Sequence, residues 1–550
     1  MIISFEQSPE EYFRLSRIAF GEGALDRALF YGEKAIRGKG TTEYKLSLAE
    51  IFLSMERFSD ALDLALEVLT YGRGMRAETY DILARASGEL GFFYESLHYI
   101  AKKARYEEDD DTLDAMGEVM EEIVSAREKE DEKSLFLVGK ENRMDEQVRL
   151  MSANFALERA EYDEAIRLAS AVKEDSEQYL AARTICLRAY LRKKDNEQAA
   201  RTAEEILALS PKNAYALYVL VARFKRTEYL PALKDAEGRT GDLYLAISAA
   251  EDCGAHEVAE RVAARLLERN PYTAEAYFVA AAVALNGGNR DKSEDLLKRL
   301  LSLYAKYPAQ VILKGWRRLK TCNATFSGKM PAEVVRILER YVRKRSRDCE
   351  SFVRSMLTDQ AFRASVALIL ETDEPIVGRV LTYLGEQNNR QIDAFFAKIL
   401  LRQGYDLVLK RAILGELLFH KNRGRIPLVQ SAFPVAVSCE KPLHFAMYSP
   451  DLQEAYINIY SFVVCMTDAA GVDRVRMLAE RCFSLQGGER ISSEILGAAM
   501  LYRLLKEDLV PIAPEVHSEE EACAFIFSLV FGVRKLPMGR VKRFAALLED

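Results

Sequence analysis

Five histidines are the first residues to test for chemistry, because an imidazole can ligate a metal or move a proton near neutral pH. His98, His256, His420, His444 and His517 lie far apart, and none has a second ligand at metal-binding spacing. The eight cysteines, scattered from Cys186 to Cys523, contain no C-x-x-C pair, a pattern that fits buried thiols in a reducing compartment. Cys322 stands apart because Arg317, Arg318 and Lys320 precede it, and cations converging on a thiol lower its pKa. A buried, idle thiol is the favoured reading of it. Neither a phosphate-cradling G-x-x-x-x-G-K-[ST] loop, a G-x-S-x-G elbow nor an H-E-x-x-H zinc motif occurs. The residues argue against an enzyme, and no catalytic group, metal or cofactor is expected.

Clustered cations offer binding rather than catalysis. Residues 314–347 hold 11 Lys and Arg against 2 Glu and include the single tryptophan, Trp316. Arg317, Arg318, Lys320, Arg340, Arg343, Lys344 and Arg345 form the candidate patch, suited to phosphates or to an acidic protein surface. A solvated helix face is the plainer account of it. Residues 102–146 carry 16 acidic against 8 basic side chains, as in a solvated loop followed by exposed helices; the alternative is an acidic docking face. Pairing of the two regions between copies would give self-association. A second basic element, 532–544, follows an apolar helix and a glycine turn, an order similar to a DNA-binding helix-turn-helix with Arg540, Lys542 and Arg543 as contacts. Gly539 inside the reading helix argues instead for a terminal capping hairpin.

Bulk composition is that of an ordinary folded protein: 49% hydrophobic, 29% charged, with a formal net charge of −7 over 550 residues. That charge argues against a general nucleic-acid or anionic-membrane binder, though not against a local patch. The start of the chain lacks a basic region followed by an apolar core, and the longest apolar runs fall short of a membrane span. A cytoplasmic protein without membrane insertion is expected.

The elements that must position these side chains are helices. Three stretches stack in register: Arg183-x-x-Cys186-Leu187-x-x-Tyr190 with Ala199-x-x-x-Ala203-x-x-Ile206; Leu243-x-x-Ala246-Ile247-x-x-Ala250 with Gly254 and Ala259-x-x-x-Ala263-x-x-Leu266; and Tyr277-x-x-Ala280-Ala281-x-x-Ala284 with Gly288 and Ser293-x-x-x-Leu297-x-x-Leu300. Apolar residues three and four apart put one stripe on each of two helices, and the alanines let their backbones approach. Pro211 and Pro271 close two of the units, since the residue before proline avoids the helical region. A weak copy spans 217–233. Looser copies run from Ser8-Pro9 to about residue 100, through Ala28-x-x-x-Gly32, Ala61-x-x-x-Ala65 and Ser96-x-x-x-Ile100.

This pattern, recurring every ~34 residues, resembles the tetratricopeptide (TPR) repeat family. The resemblance covers about residues 9–308, with its strong motifs from about Met144 onward. It implies an all-α fold: a TPR-like α-α superhelical solenoid followed by a further α-helical C-terminal region. The expected divisions are a solenoid over 1–308, interrupted around 107–145, an α-helical region with the basic patch over 309–424, a Pro-containing connection over 425–450, and a C-terminal helical block over 451–550. Residues 392–401 and 407–419 form an antiparallel-looking pair vaguely similar to HEAT-type repeats, and 434–437 suits a short extended piece.

The resemblance further implies a concave face, lined by the first helix of each pair, that binds a peptide or helix of another protein. One such mode holds a C-terminal carboxylate with lysine at the fifth and asparagine at the ninth repeat position. Here those positions hold pairs such as Asp81/Arg85, Leu150/Asn154, Thr184/Arg188 and Tyr244/Ser248, none with that combination. Arg17, Arg85 and Arg188 recur at the ninth position beside Asn154, while Tyr218 and Tyr244 take the fifth, and arginine and tyrosine are effective interface anchors. The expectation is a non-enzymatic protein–protein interaction scaffold whose groove takes a segment of some acidic character. The alternative is a regulator that binds nucleic acid through 314–347 and 532–544.

Overall fold

Ser8 opens the first helix as its sequence requires: the hydroxyl accepts from the Glu11 amide at 3.2 Å and Pro9 occupies the first turn. From there the chain is built almost wholly of α-helices joined in antiparallel pairs. The computed structural model describes residues 7–549 except 73, 105, 107–145, 177, 326–329, 373–375, 386, 422–423, 431, 439, 465–468, 486–490, 511–517 and 532–534. Most of the acidic stretch, the expected interruption and the glycine turn expected at 532 therefore lie outside the described residues.

The chain divides into two compact units that interleave in sequence. One comprises residues 1–35, 51–57 and 108–344, the other 36–50, 58–107 and 345–550.

The first unit holds the regular pairs: Glu146–Glu158 with Tyr162–Ser170, Tyr179–Lys193 with Asn196–Leu209, Thr240–Asp252 with His256–Arg269, and Ala274–Asn286 with Arg290–Leu303. Ala165, Ala199 and Ala259, at the close-approach position of the second helices, are wholly buried. Ser293 takes that position in the last pair and keeps the approach tight by donating its hydroxyl to the Ala281 carbonyl at 2.6 Å. The turns inside the pairs need a left-handed residue, supplied by Gly254 and Gly288 but also by Ala160 and Lys194. The weak copy is a shortened pair. Its first helix, Ala214–Tyr218, widens into a π-helical turn, Val219–Arg223, and its second is reduced to Leu230–Leu233. Beyond the array, helices Ala309–Trp316 and Ala332–Arg345 follow. Trp316 is core rather than patch: its indole donates to Ser293 at 3.0 Å.

The second unit contains helices Phe58–Tyr71, Arg76–Glu89 and Phe93–Lys103, and then the helices from Cys349 onward, five of them following residue 449. Residues 425–450 hold more order than a connection needs. Strands β1, Arg425–Gln430, and β2, Phe433–Ser438, form an antiparallel hairpin in which Pro427 faces Ala436. Helices grip it by its carbonyls: Tyr99 donates to Ala432 at 2.6 Å, buried Lys410 to Val429 at 2.8 Å, and Tyr460 to Ser438 at 2.8 Å. The hairpin does for these helices what a further helix would do in a regular array, giving their ends a surface to pack on.

Candidate partner-binding site

Successive first helices of the first unit project side chains onto one face. Asn154, Arg188, Arg192, Tyr215, Tyr218 and Arg223 surround a concavity of about 720 Å3, with Leu157 and Leu191 as its apolar lining. Asn154 and Arg188 share a repeat position, as do Leu157 and Leu191, so the same helix face is presented twice. The π-helical turn sets Arg223 at the rim; a wide turn displaces the side chains after it relative to a regular helix.

Electrostatics give this concavity its character. The Arg188 guanidinium sits 5.2 Å from the centre of the Tyr215 ring, and the Tyr215 and Tyr218 rings are 6.3 Å apart. Burial pushes the Tyr215 phenol up, and the neighbouring Arg188 pulls it back. No carboxylate lines the concavity among the described residues. Three arginines in a concavity whose described lining holds no carboxylate favour an incoming anion.

A smaller concavity of about 350 Å3 lies on later first helices of the same unit, lined by Tyr244, Leu245, Ser248, Glu275, Val279 and Thr325. The Tyr244 hydroxyl is shielded from solvent and has no hydrogen-bond partner among the described residues. Burial raises its pKa, with Glu275 adding to the effect.

The structure thus gathers Asn154, Arg188 and Tyr218 into one site and sets Tyr244 in another. Arg17 is exposed on helix Pro9–Gly21 and lines neither. Arg85 belongs to the second unit, where it faces Asp81 at 3.5 Å, a carboxylate also held by Lys103 at 3.0 Å. Tyr215, Arg192 and Arg223 escaped the sequence reading. Arg192 follows the repeated leucine and had a signal, whereas Arg223 depends on a turn type that spacing does not announce.

The basic patch is less concentrated than its sequence suggests. Arg317 is taken by Glu294 at 2.9 Å, which holds that carboxyl down near 2, and Arg343 pairs with Glu339 at 3.3 Å. Arg345 groups with the second unit and faces Asp359 at 3.6 Å. Arg318, Lys320, Arg340 and Lys344 are exposed. Arg317, Arg318 and Lys320 do not activate Cys322: the thiol is buried, points to Glu333 at 3.5 Å, and is pushed up by burial and by that carboxylate. Lys542, on helix Met538–Leu547, pairs with Glu520 on helix Glu519–Phe531.

The second unit has a concavity of about 590 Å3 that includes Leu443, Met477, Arg474 and Arg476. Of the four cations that line it, Arg474 is engaged by Glu507 at 2.8 Å and Arg476 by Glu440 at 2.9 Å, and the Glu480 carboxylate stands beside Lys441 and Arg481 in the same lining. The Arg188 concavity is therefore the stronger anion site. Among the described residues, no group of three or more His, Cys, Asp or Glu is placed to hold a metal ion, and no helix is long and apolar enough to cross a membrane.

Paired helices, alanine contacts and left-handed turns at the repeat period define a TPR-like helical-repeat protein. No protein-family model and no curated protein matches the chain. Among solved structures, the chain is similar to yeast Tom70 (11% identity, 87% of this chain and 96% of that one, TM-score 0.24). It is also similar to YrrB, described as a TPR protein with an unusual peptide-binding site (18%, 32% and 93%, TM-score 0.23). The TPR2AB domain of yeast Sti1, solved with pHSP90, overlaps at 12% identity over 46% of this chain and 98% of that one, with a TM-score of 0.21.

Proposed function

We propose that this protein is a non-enzymatic interaction scaffold whose first-helix face captures a segment of a partner protein. The observation that carries the proposal is the meeting of Arg188, Arg192 and Arg223 with Tyr215 and Tyr218 in one concavity free of described carboxylates. Such a site suits a peptide. Guanidiniums give charge-assisted hydrogen bonds, and tyrosines add contact area for little loss of side-chain freedom. Its volume falls within the usual ~300–1,000 Å3 of a ligand cleft, enough to take side chains but not a folded domain. A cytoplasmic site of action is part of the proposal, supported by the scattered spacing of the cysteines.

The test is affinity capture from native lysate with nuclease present, comparing the wild type with an Arg188→Glu, Arg223→Glu double variant. A defined protein retained by the wild type and lost by the variant supports the reading. Capture that survives the charge reversals removes this face as the site, and capture that vanishes with nuclease favours nucleic acid instead.

A further inference from the structure

The two concavities of the first unit use the same repeat positions with opposite polarity. In one, the ninth position of a first helix is Arg188 and the second position of the next is Tyr215; in the other these are Ser248 and Glu275. Each site also holds a fifth-position tyrosine, Tyr218 on the later helix of the first and Tyr244 on the earlier helix of the second. One end of the face therefore offers guanidiniums and the other a carboxylate with two hydroxyl-bearing neighbours, Ser248 and Tyr244. The lining of the second site suits a long cationic side chain. Leu245, Val279 and Ala324 supply apolar contacts for its methylenes, and Glu275, Tyr244 and Ser248 supply polar groups for its charged head. The unpartnered Tyr244 hydroxyl is a buried polar group that a ligand would satisfy, accepting from an ammonium while donating to a peptide carbonyl.

Resting on the reading of this face as a peptide groove, we infer that it recognises a bipolar segment: an acidic residue held by Arg188, Arg192 and Arg223, and a lysine or arginine farther along the same chain held by Glu275, Tyr244 and Ser248. Charge complementarity names the occupant and its register. A segment entirely acidic would meet Glu275, and one entirely basic would meet the arginines, so each end selects against the wrong partner. The sites are separated by about two steps between packed helices, each ~10 Å. An extended chain covers that distance in roughly six residues.

The probes are synthetic Gly/Ser peptides carrying an Asp-Glu pair and a lysine four, six or eight residues away, each with a twin in which methionine replaces the lysine. Binding to the full chain is read by fluorescence anisotropy at low ionic strength. The lysine peptide of the best spacing is expected to bind about tenfold tighter than its methionine twin. Glu275→Gln should erase that preference while leaving the methionine peptide unchanged, and Arg223→Glu should weaken both alike. An unchanged melting temperature of Glu275→Gln separates the effect from loss of structure. Equal binding of the lysine and methionine peptides, with dependence on Arg223 retained, overturns the bipolar inference and leaves the groove standing. Equal weakening of both by Glu275→Gln also overturns it. Failure of every peptide to bind the wild type removes the groove and this inference together.

Discussion

Arg57 donates a hydrogen bond at 2.7 Å to the carbonyl of Leu303, a residue 246 positions later in the chain. Its guanidinium lies 4.4 Å from the centre of the Phe52 ring and 3.9 Å from that of Tyr304. Asp26, on helix Leu25–Gly38, forms an ion pair with Arg299 on the helix that ends at Leu303. Segments 9–35 and 51–57 are thereby joined to the last regular helix pair within one unit, which explains why that unit is discontinuous in sequence. Replacing Arg57 with alanine strands a buried carbonyl and empties the space between two rings. The expected cost is ~3 kcal/mol, seen in the first urea transition. Arg57→Lys should recover less than half of it, because an ammonium lacks the planar stacking surface.

Left-handed turns make a paired prediction. Gly254 has φ +68°, and a Cβ added there would meet nothing within 4 Å, so alanine would pay only the backbone penalty. Gly254→Ala should destabilise by ~1 kcal/mol. Lys194 has φ 65° at the equivalent turn, and Lys194→Gly should stabilise by up to about 1 kcal/mol, less the added freedom of the unfolded chain. Thermal melting of the two variants should shift in opposite directions.

Asp63 predicts a pH dependence. Its carboxylate accepts from the Gln403 amide at 2.9 Å, and burial pushes its pKa from 3.8 up to about 6, with the amide, Arg402 and Lys410 opposing. The folded protein then holds this proton more tightly than the unfolded chain. The stability it contributes is complete below about pH 4 and declines until about pH 6, by ~2 kcal/mol after allowance for partial exposure. Asp63→Asn should remove that share of the slope, so the urea midpoint at pH 7 should rise relative to that at pH 4.5 in the variant compared with the wild type.

Cys322 should be unreactive. Its thiol is 4% exposed and burial, with Glu333 beside it, disfavours the thiolate. Maleimide labelling at pH 8 is expected to spare it in the native protein and to modify it in urea, with peptide mapping as the readout.

Much of this was legible in the residues. Ala199, Ala203, Ala259 and Ala263 mark where paired helices touch, because a repeat imposes the same steric demand at the same interval. Gly254 and Gly288 mark the turns for the same reason, although Lys194 and Ala160 show that the demand does not always select glycine. Three of the six proposed groove residues lay in the open too. Asn154, Arg188 and Tyr218 stand at positions that a helix must turn to one face, whatever surrounds it.

Tertiary structure decided what spacing could not. Arg85 occupies the same repeat position as Arg188, yet it belongs to a different unit and is paired with Asp81. Arg223 reaches its concavity through a π-helical turn, and Trp316 leaves a basic stretch to enter the core. Repeat period is a local property, set by side chains a few residues apart, so the sequence carries it alone. Which helix end meets Leu303 depends on Arg57, 246 residues away in the chain, and only the folded chain brings the two together.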